Sequence, residues 1–301
     1  MTAPASTIGN DRRPPGHWPF LPPGDIVTKP LPSPFLALTR RAALPLVAAL
    51  ALAGCGVLGG GNKPAGEDIH VMTSGGFTAA YNDLRPEFER SSGRTVKTAY
   101  GASMGNATDS IPSRLARNEP ADVVILARPA LDALVAQGKV VAGSQVDLVR
   151  SPIGFAVRKG APKPDIGTVD ALKRTLLAAP SIAYSASASG TYYETELLKK
   201  LGIEDQVKPK SKRILSERVG SVVARGDAAL GLQQVSELLP IEGIDYIGPL
   251  PAEVQLVTVF SAGVATASKQ PDAARQLIRY LNSPAAAPTI AKTGLEPLSA
   301  R

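Results

Sequence analysis

Across 301 residues, 33 Lys and Arg face 26 Asp and Glu, for a formal net charge of +7. A single cysteine rules out an internal disulfide, and with two histidines it is too little for a His/Cys zinc cluster. No basic run carries interleaved aromatics and no Walker-type phosphate loop is present, so nucleic acid is not an expected partner and P-loop chemistry is set aside.

Residues 1–38 are proline-rich without apolar periodicity and read as a disordered extension. Arg40-Arg41 then precede a short apolar run that ends Leu52-Ala53-Gly54-Cys55. A basic start, an apolar middle well short of the roughly 20 residues that span a bilayer, and small residues before the cysteine are the layout of an export signal. The ending resembles a bacterial lipoprotein box, which implies Cys55 as the lipidated first residue of a membrane-anchored periplasmic protein. Thr39-Arg40-Arg41 also resembles a twin-arginine signal. Arg12, Arg13, Lys29, Arg40 and Arg41 lie before the cut against Asp11 and Asp25, so the exported part is only mildly basic. Residues 56–67 are a Gly-rich flexible tether.

Beyond the tether the pattern alternates. Residues 69–72 read as a strand, 77–90 as a helix, 95–100 as a strand, 106–117 as a helix, 122–127 as a buried strand and 129–137 as a helix. Residues 146–149 and 153–157 are further strands, split at Ser151-Pro152, where proline suits a crossing better than a central ladder. The rhythm resumes with helix 168–178 capped by Thr168, strand 182–184, helix 192–201, a short strand at 213–215, helix 218–225 and strand 229–233. Residues 254–265 are a long β-rich run. They lead into an amphipathic helix with Pro271 in its first turn and Ala274, Leu277, Ile278 and Leu281 on one face. Strands alternating with helices predict an α/β fold with mostly parallel sheets. Two lobes are expected, one from 68–150 plus 262–301 and the other from 151–261. Their two crossings make a hinge, with a ligand held where strand ends meet helix starts. A single-domain α/β enzyme is the alternative architecture.

Three small, polar loops follow strands and open helices: Thr73-Ser74-Gly75-Gly76-Phe77-Thr78, Gly101-Ala102-Ser103-Met104-Gly105-Asn106, and Ser185-Ala186-Ser187-Ala188-Ser189-Gly190-Thr191. Helix starts expose unpaired N–H groups and partial positive charge, small residues admit an anion closely, and hydroxyls add donors. One such loop is ordinary capping; three point to a shared anion pocket. His70, the one histidine after Cys55, falls on the first strand pattern and reads as a strand residue rather than a base. No serine sits in a Gly-x-Ser-x-Gly elbow, which argues against a Ser-His-Asp triad.

From about Asp68 onward the chain resembles type 2 periplasmic solute-binding proteins of the molybdate-binding class. The resemblance rests on Gly76-Phe77-Thr78, Gly101-Ala102-Ser103, Pro120-Ala121-Asp122-Val123-Val124-Ile125, Ser189-Gly190-Thr191-Tyr192 and Arg225-Gly226-Asp227-Ala228-Ala229-Leu230-Gly231. It implies an ABC-importer binding protein, monomeric and without a cofactor, that grips an oxyanion with neutral donors. Carried over by position, the first-loop serine falls on Gly76, with Ser74 and Gly75 beside it. Ser103, followed by Met104, matches the second-loop serine, and Ser187, Ser189, Gly190 and Val219 lie at the second-lobe donors. The family's tyrosine position is Gln234 and its acidic position after the third strand is Arg128. These departures favour a small organic carboxylate, with Arg128 and Arg218 as candidate grips. The segments Thr73-Ser74-Gly75-Gly76-Phe77, Tyr184 to Gly190 and Gln233 to Pro240 also resemble periplasmic aconitate isomerases, built on the same scaffold. That implies, as the alternative to transport, a cofactor-free proton shift needing one base, for which Glu217, Glu237 and Tyr184 are candidates.

Overall fold

The computed structural model describes residues 68–299. The expected extension, export signal, Cys55 and tether lie outside them. Among the described residues no helix is long and apolar enough to cross a membrane.

The chain builds two sheets in turn. β1 (Ile69–Ser74), α1 (Gly75–Ser92), β2 (Val96–Gly101), α2 (Ile111–Ala116), β3 (Val123–Ala127), α3 (Arg128–Ala136) and β4 (Val146–Ser151) form most of the first lobe. The second lobe holds β5 (Ile153–Arg158), α4 (Val169–Ala178), β6 (Ile182–Ser185), α5 (Ala188–Tyr192), a π turn over Tyr193–Leu197, α6 (Leu198–Lys200) and α7 (Glu204–Val207). It continues through β7 (Ser211–Ile214), α8 (Val219–Arg225), β8 (Leu230–Gln234), α9 (Val235–Leu238) and β9 (Ile244–Pro249). β10 (Thr258–Val264), α10 (Pro271–Leu281), α11 (Ala287–Lys292) and β11 (Glu296–Pro297) return to the first lobe.

The first sheet runs β11-β4-β10-β3-β1-β2 and the second β7-β6-β8-β5-β9. Both are mixed, not mostly parallel as the alternation predicts. Strands joined through helices pair in parallel, β1 with β2 and β3, and β6 with β7 and β8. The strands at the crossings, β4, β5 and β10, arrive without a helix between them and pair antiparallel. Each sheet is covered on both faces. Phe77, Tyr81, Leu84 and Phe88 recur along α1 and join Ile69, Val71, Phe260 and Leu277 in one core; Ile111, Val124, Leu126 and Leu131 pack on the opposite face. The second sheet is sandwiched likewise, between the cluster around Phe155, Tyr193 and Leu232 and the smaller one around Val219, Val222 and Val223.

Both crossings are short. Only Pro152 separates β4 from β5, a place that needs no ladder donor. The return falls before Thr258, not at 261–262: although 254–265 is β-rich throughout, the backbone joins the first sheet only from Thr258, opposite Ser151. Gln255 ties the crossings together, its Oε1 accepting from Ile153 N–H and its Nε2 donating to Ile153 C=O, both at 2.9 Å.

Local differences have local causes. The helix predicted over 106–117 begins only at Ile111, where Ser110 Oγ accepts from Ser113 N–H. Thr168 caps α4 as expected, accepting from Ala171 N–H at 3.1 Å. α1 starts at Gly75, two residues before the apolar periodicity begins, which brings its free N–H groups to the cleft. The strand over Ile244–Pro249 is half-buried up to Gly248 and exposed at Pro249, and carries no alternation to announce it.

Candidate functional site

A cavity of about 410 Å³ opens between the lobes, at the carboxyl ends of β1, β2, β6, β7 and β8. Gly75, Thr78, Asn82, Tyr100, Gly101, Ala102 and Asp109 form one wall; Ser185 to Ser187, Ile214 to Arg218, Gln233 and Glu237 form the other. This is the crevice where open α/β sheets place ligands.

Glu237 is the chemical centre of that wall. It lies in the single turn of α9, only 8% exposed, and burial pushes its carboxyl up to about 7; nearby Arg218 and a hydrogen bond from Gln233 act in the opposite direction. Gln233 Nε2 donates to Glu237 Oε1 at 2.8 Å while its own Oε1 accepts from Val219 N–H at 3.0 Å. One amide thus fixes the carboxylate and caps the start of α8. Opposite stands Gly75, where a side chain would run into the Glu237 carboxylate. The missing Cβ lets the acid sit against the amino end of α1.

The remaining expected site residues divide. Gly75 and Ser187 line the cavity. Ser74, the N-cap of α1, is 1% exposed and its Oγ has no hydrogen-bond partner among the described residues. Gly76 packs on the Phe260 ring and its C=O accepts from Ser236 Oγ at 2.7 Å. Ser103 is fully buried; its Oγ accepts from Ala127 N–H at 3.0 Å and its N–H donates to Ser187 Oγ at 3.2 Å. Met104 sulfur accepts from Thr191 Oγ1 at 3.6 Å. Ser189 pairs with Ser185 through their hydroxyls at 3.1 Å, and Gly190 presses on the Ser185 backbone with no room for a side chain.

Three of the expected donors or grips are engaged elsewhere. Val219 N–H is taken by Gln233. Gln234 belongs to the hinge: in the orientation that satisfies its amide, Nε2 donates to Ser151 C=O and Pro152 C=O and Oε1 accepts from Thr258 Oγ1 at 2.8 Å. Arg128 lies off the cavity wall, its guanidinium spent on Asp132 at 2.9 Å and Asp147 at 2.7 Å. Of the candidate bases, Tyr184 is buried behind the wall against Tyr193, and Glu217 is gripped at the mouth by Arg225 through two hydrogen bonds. Arg218 lines the cavity and has no acidic partner among the described residues. His70 sits at the far end of β1, beside Asp122.

Thr78, Asn82, Tyr100, Asp109 and Gln233 are wall residues the sequence reading missed. Thr78 had a signal as the last residue of the first polar loop, and Asn82 lies one turn further along α1. Gln233 had one too: it is the strand neighbour of Gln234, and successive strand residues face opposite sides. The lobes touch directly across the cleft, Ser103 to Ser187, Met104 to Thr191, Gly76 to Ser236, and Ser216 Oγ to Asp109 Oδ1 at 3.3 Å. The arrangement is closed.

Residues 69–296 match the family described as bacterial extracellular solute-binding protein. An aconitate isomerase from a Pseudomonas species is 46% identical over 233 residues, 77% of this chain and 89% of that one. The molybdate-binding protein ModA of Azotobacter vinelandii is 28% identical over 239 residues, 75% and 89% of the two chains. The solved periplasmic molybdate-binding protein of A. vinelandii shares the fold, with a TM-score of 0.62 over 76% of this chain and 98% of its own at 20% identity. Two covered sheets, two short crossings and a cleft at the strand ends agree with that match, and the chain belongs to the bacterial extracellular solute-binding proteins.

Proposed function

We propose that the cleft binds a small unsaturated polycarboxylate of the aconitate type and isomerises it without a cofactor, with Glu237 moving the proton. The observation that carries this reading is a buried carboxyl, pushed up to about 7, set against the amino end of α1 on the wall of an anion-sized cavity. The aconitate isomerase relative supplies the substrate class. Ionised Glu237 takes a proton from the methylene carbon; a double bond forms between that carbon and the central one as the original double bond opens. The former alkene carbon then takes the proton back, so the formula is unchanged and only geometry differs. Negative charge that develops on the substrate carboxylates meets the free N–H groups of α1 and the Ser187 hydroxyl. The Ser187 Oγ already accepts from Ser103, which leaves its own proton to donate. Arg218 offers a planar, bidentate grip for one carboxylate.

The test is interconversion of cis- and trans-aconitate by the purified protein. Turnover is expected, with kcat/KM rising with pH and levelling above about 7 as Glu237 ionises. Glu237→Gln should lower kcat by about 10²–10⁴ and abolish that rise. Absence of conversion by the wild type overturns the reading.

A second reading, capture of a small anion for an ABC-type importer, is supported by the closed two-lobed cleft and the ModA relative. Tight binding of molybdate without aconitate turnover selects it. Either role places the cleft outside the cytoplasm, in keeping with the export layout of residues 39–55 and a lipid on Cys55; Cys55→Ser should release the protein from the membrane fraction.

A further inference from the structure

A second cavity, of about 350 Å³, lies beside the first. α1 is the partition. Thr78 and Asn82, one turn apart, face the cleft; Ala79 and Asp83, each one position further on, face the second space, and Asn82 borders both. Arg218 also borders both, from the other lobe. The cavities therefore meet at Asn82 and Arg218. Tyr100 OH donates to Asn82 Oδ1 at 2.7 Å, which fixes the amide by its oxygen and leaves its NH₂ as a donor at the junction. Lys292, in the last turn of α11, and the apolar Leu239 and Pro240 also line the second cavity.

The charge pattern gives this space a purpose. Arg225 and Arg128 are held by carboxylates, whereas Arg218 and Lys292 have no acidic partner among the described residues. Asp83 is the one carboxylate on this wall, and it makes no ion pair with either cation. Two cations, Lys292 and an Arg218 shared with Glu237 on the cleft side, stand with the Asn82 amide donor against one acid.

We propose that this outer cavity is a subsite for a distal carboxylate of the substrate, with Arg218 gripping at the junction and Lys292 attracting from the wall. The inference rests on the polycarboxylate reading of the cleft and sharpens it. The three reacting carbons lie by Glu237, and the carboxylate borne by the terminal one enters the second space at the Asn82–Arg218 junction. The subsite distinguishes a tricarboxylate from a dicarboxylate with the same skeleton. Lys292 is exposed, so its pull is electrostatic and weakens with salt.

The experiment compares full-length wild type and Lys292→Met in kinetics on trans-aconitate, and in calorimetric binding of trans-aconitate and mesaconate. Mesaconate carries a methyl group where trans-aconitate has its carboxymethyl arm. Lys292→Met should raise KM and Kd for trans-aconitate about fivefold at low salt, with less effect at high salt. The change should fall on KM, with kcat altered less than about twofold and mesaconate affinity unmoved. Arg218→Gln should weaken trans-aconitate more than mesaconate. A Lys292→Met protein that matches wild type, or that weakens both ligands equally, overturns the subsite alone. A wild type that neither binds nor converts trans-aconitate overturns the isomerase reading and the subsite with it.

Discussion

Glu237 sets a cost against a function. A carboxyl raised from 4.5 to about 7 by burial holds its proton in the folded state at pH values where the unfolded chain has released it. Between about 4.5 and 7 the folded state therefore binds more protons, and stability falls as pH rises; above 7 the penalty is complete, about 3 kcal/mol at 1.36 kcal/mol per unit. Glu237→Gln keeps the shape and removes the charge. Urea unfolding should find the variant more stable than wild type by about this amount at pH 8 and nearly equal at pH 4.5. A difference independent of pH would show that the carboxyl is not the strained group. The same residue explains Gly75, whose missing Cβ is the space the carboxylate occupies.

At the scale of elements, the hinge is made of residues that look unremarkable in the sequence. Gln255 and Gln234 carry no pattern, yet both clamp the crossings through backbone groups. Their role follows from the pairing of Ser151 with Thr258, which exists only once both chain passages lie side by side. Gln255→Leu leaves the Ile153 N–H without its partner in a place closed to water. A loss of about 2 kcal/mol is expected from the orphaned donor, read from urea unfolding midpoints. A loss below about 0.5 kcal/mol would mean that the crossings stand without the clamp. The helices and strands themselves were largely legible, because apolar residues at 3.6 and 2 residue spacing report burial directly. α2 came out shorter than expected because Ser110 caps it late, and β9 went unread because it has no strongly buried face.

At the scale of the whole molecule, the cleft is closed by hydrogen bonds between residues more than eighty positions apart, such as Ser103 with Ser187 and Gly76 with Ser236. By itself the sequence determined an α/β chain in two lobes and two of the three small polar turns as helix openings, and it made an anion the expected guest, because periodicity and turn chemistry are local properties. Only the tertiary structure decided which polar groups remain free. It spent Arg128 on two aspartates, Val219 N–H on Gln233 and Gln234 on the hinge, and it left Glu237 buried near Arg218 on the cavity wall. The reason is physical. Whether a donor, an acid or a cation is available depends on which partners long-range packing brings within about 3 Å, and no spacing along the chain encodes that.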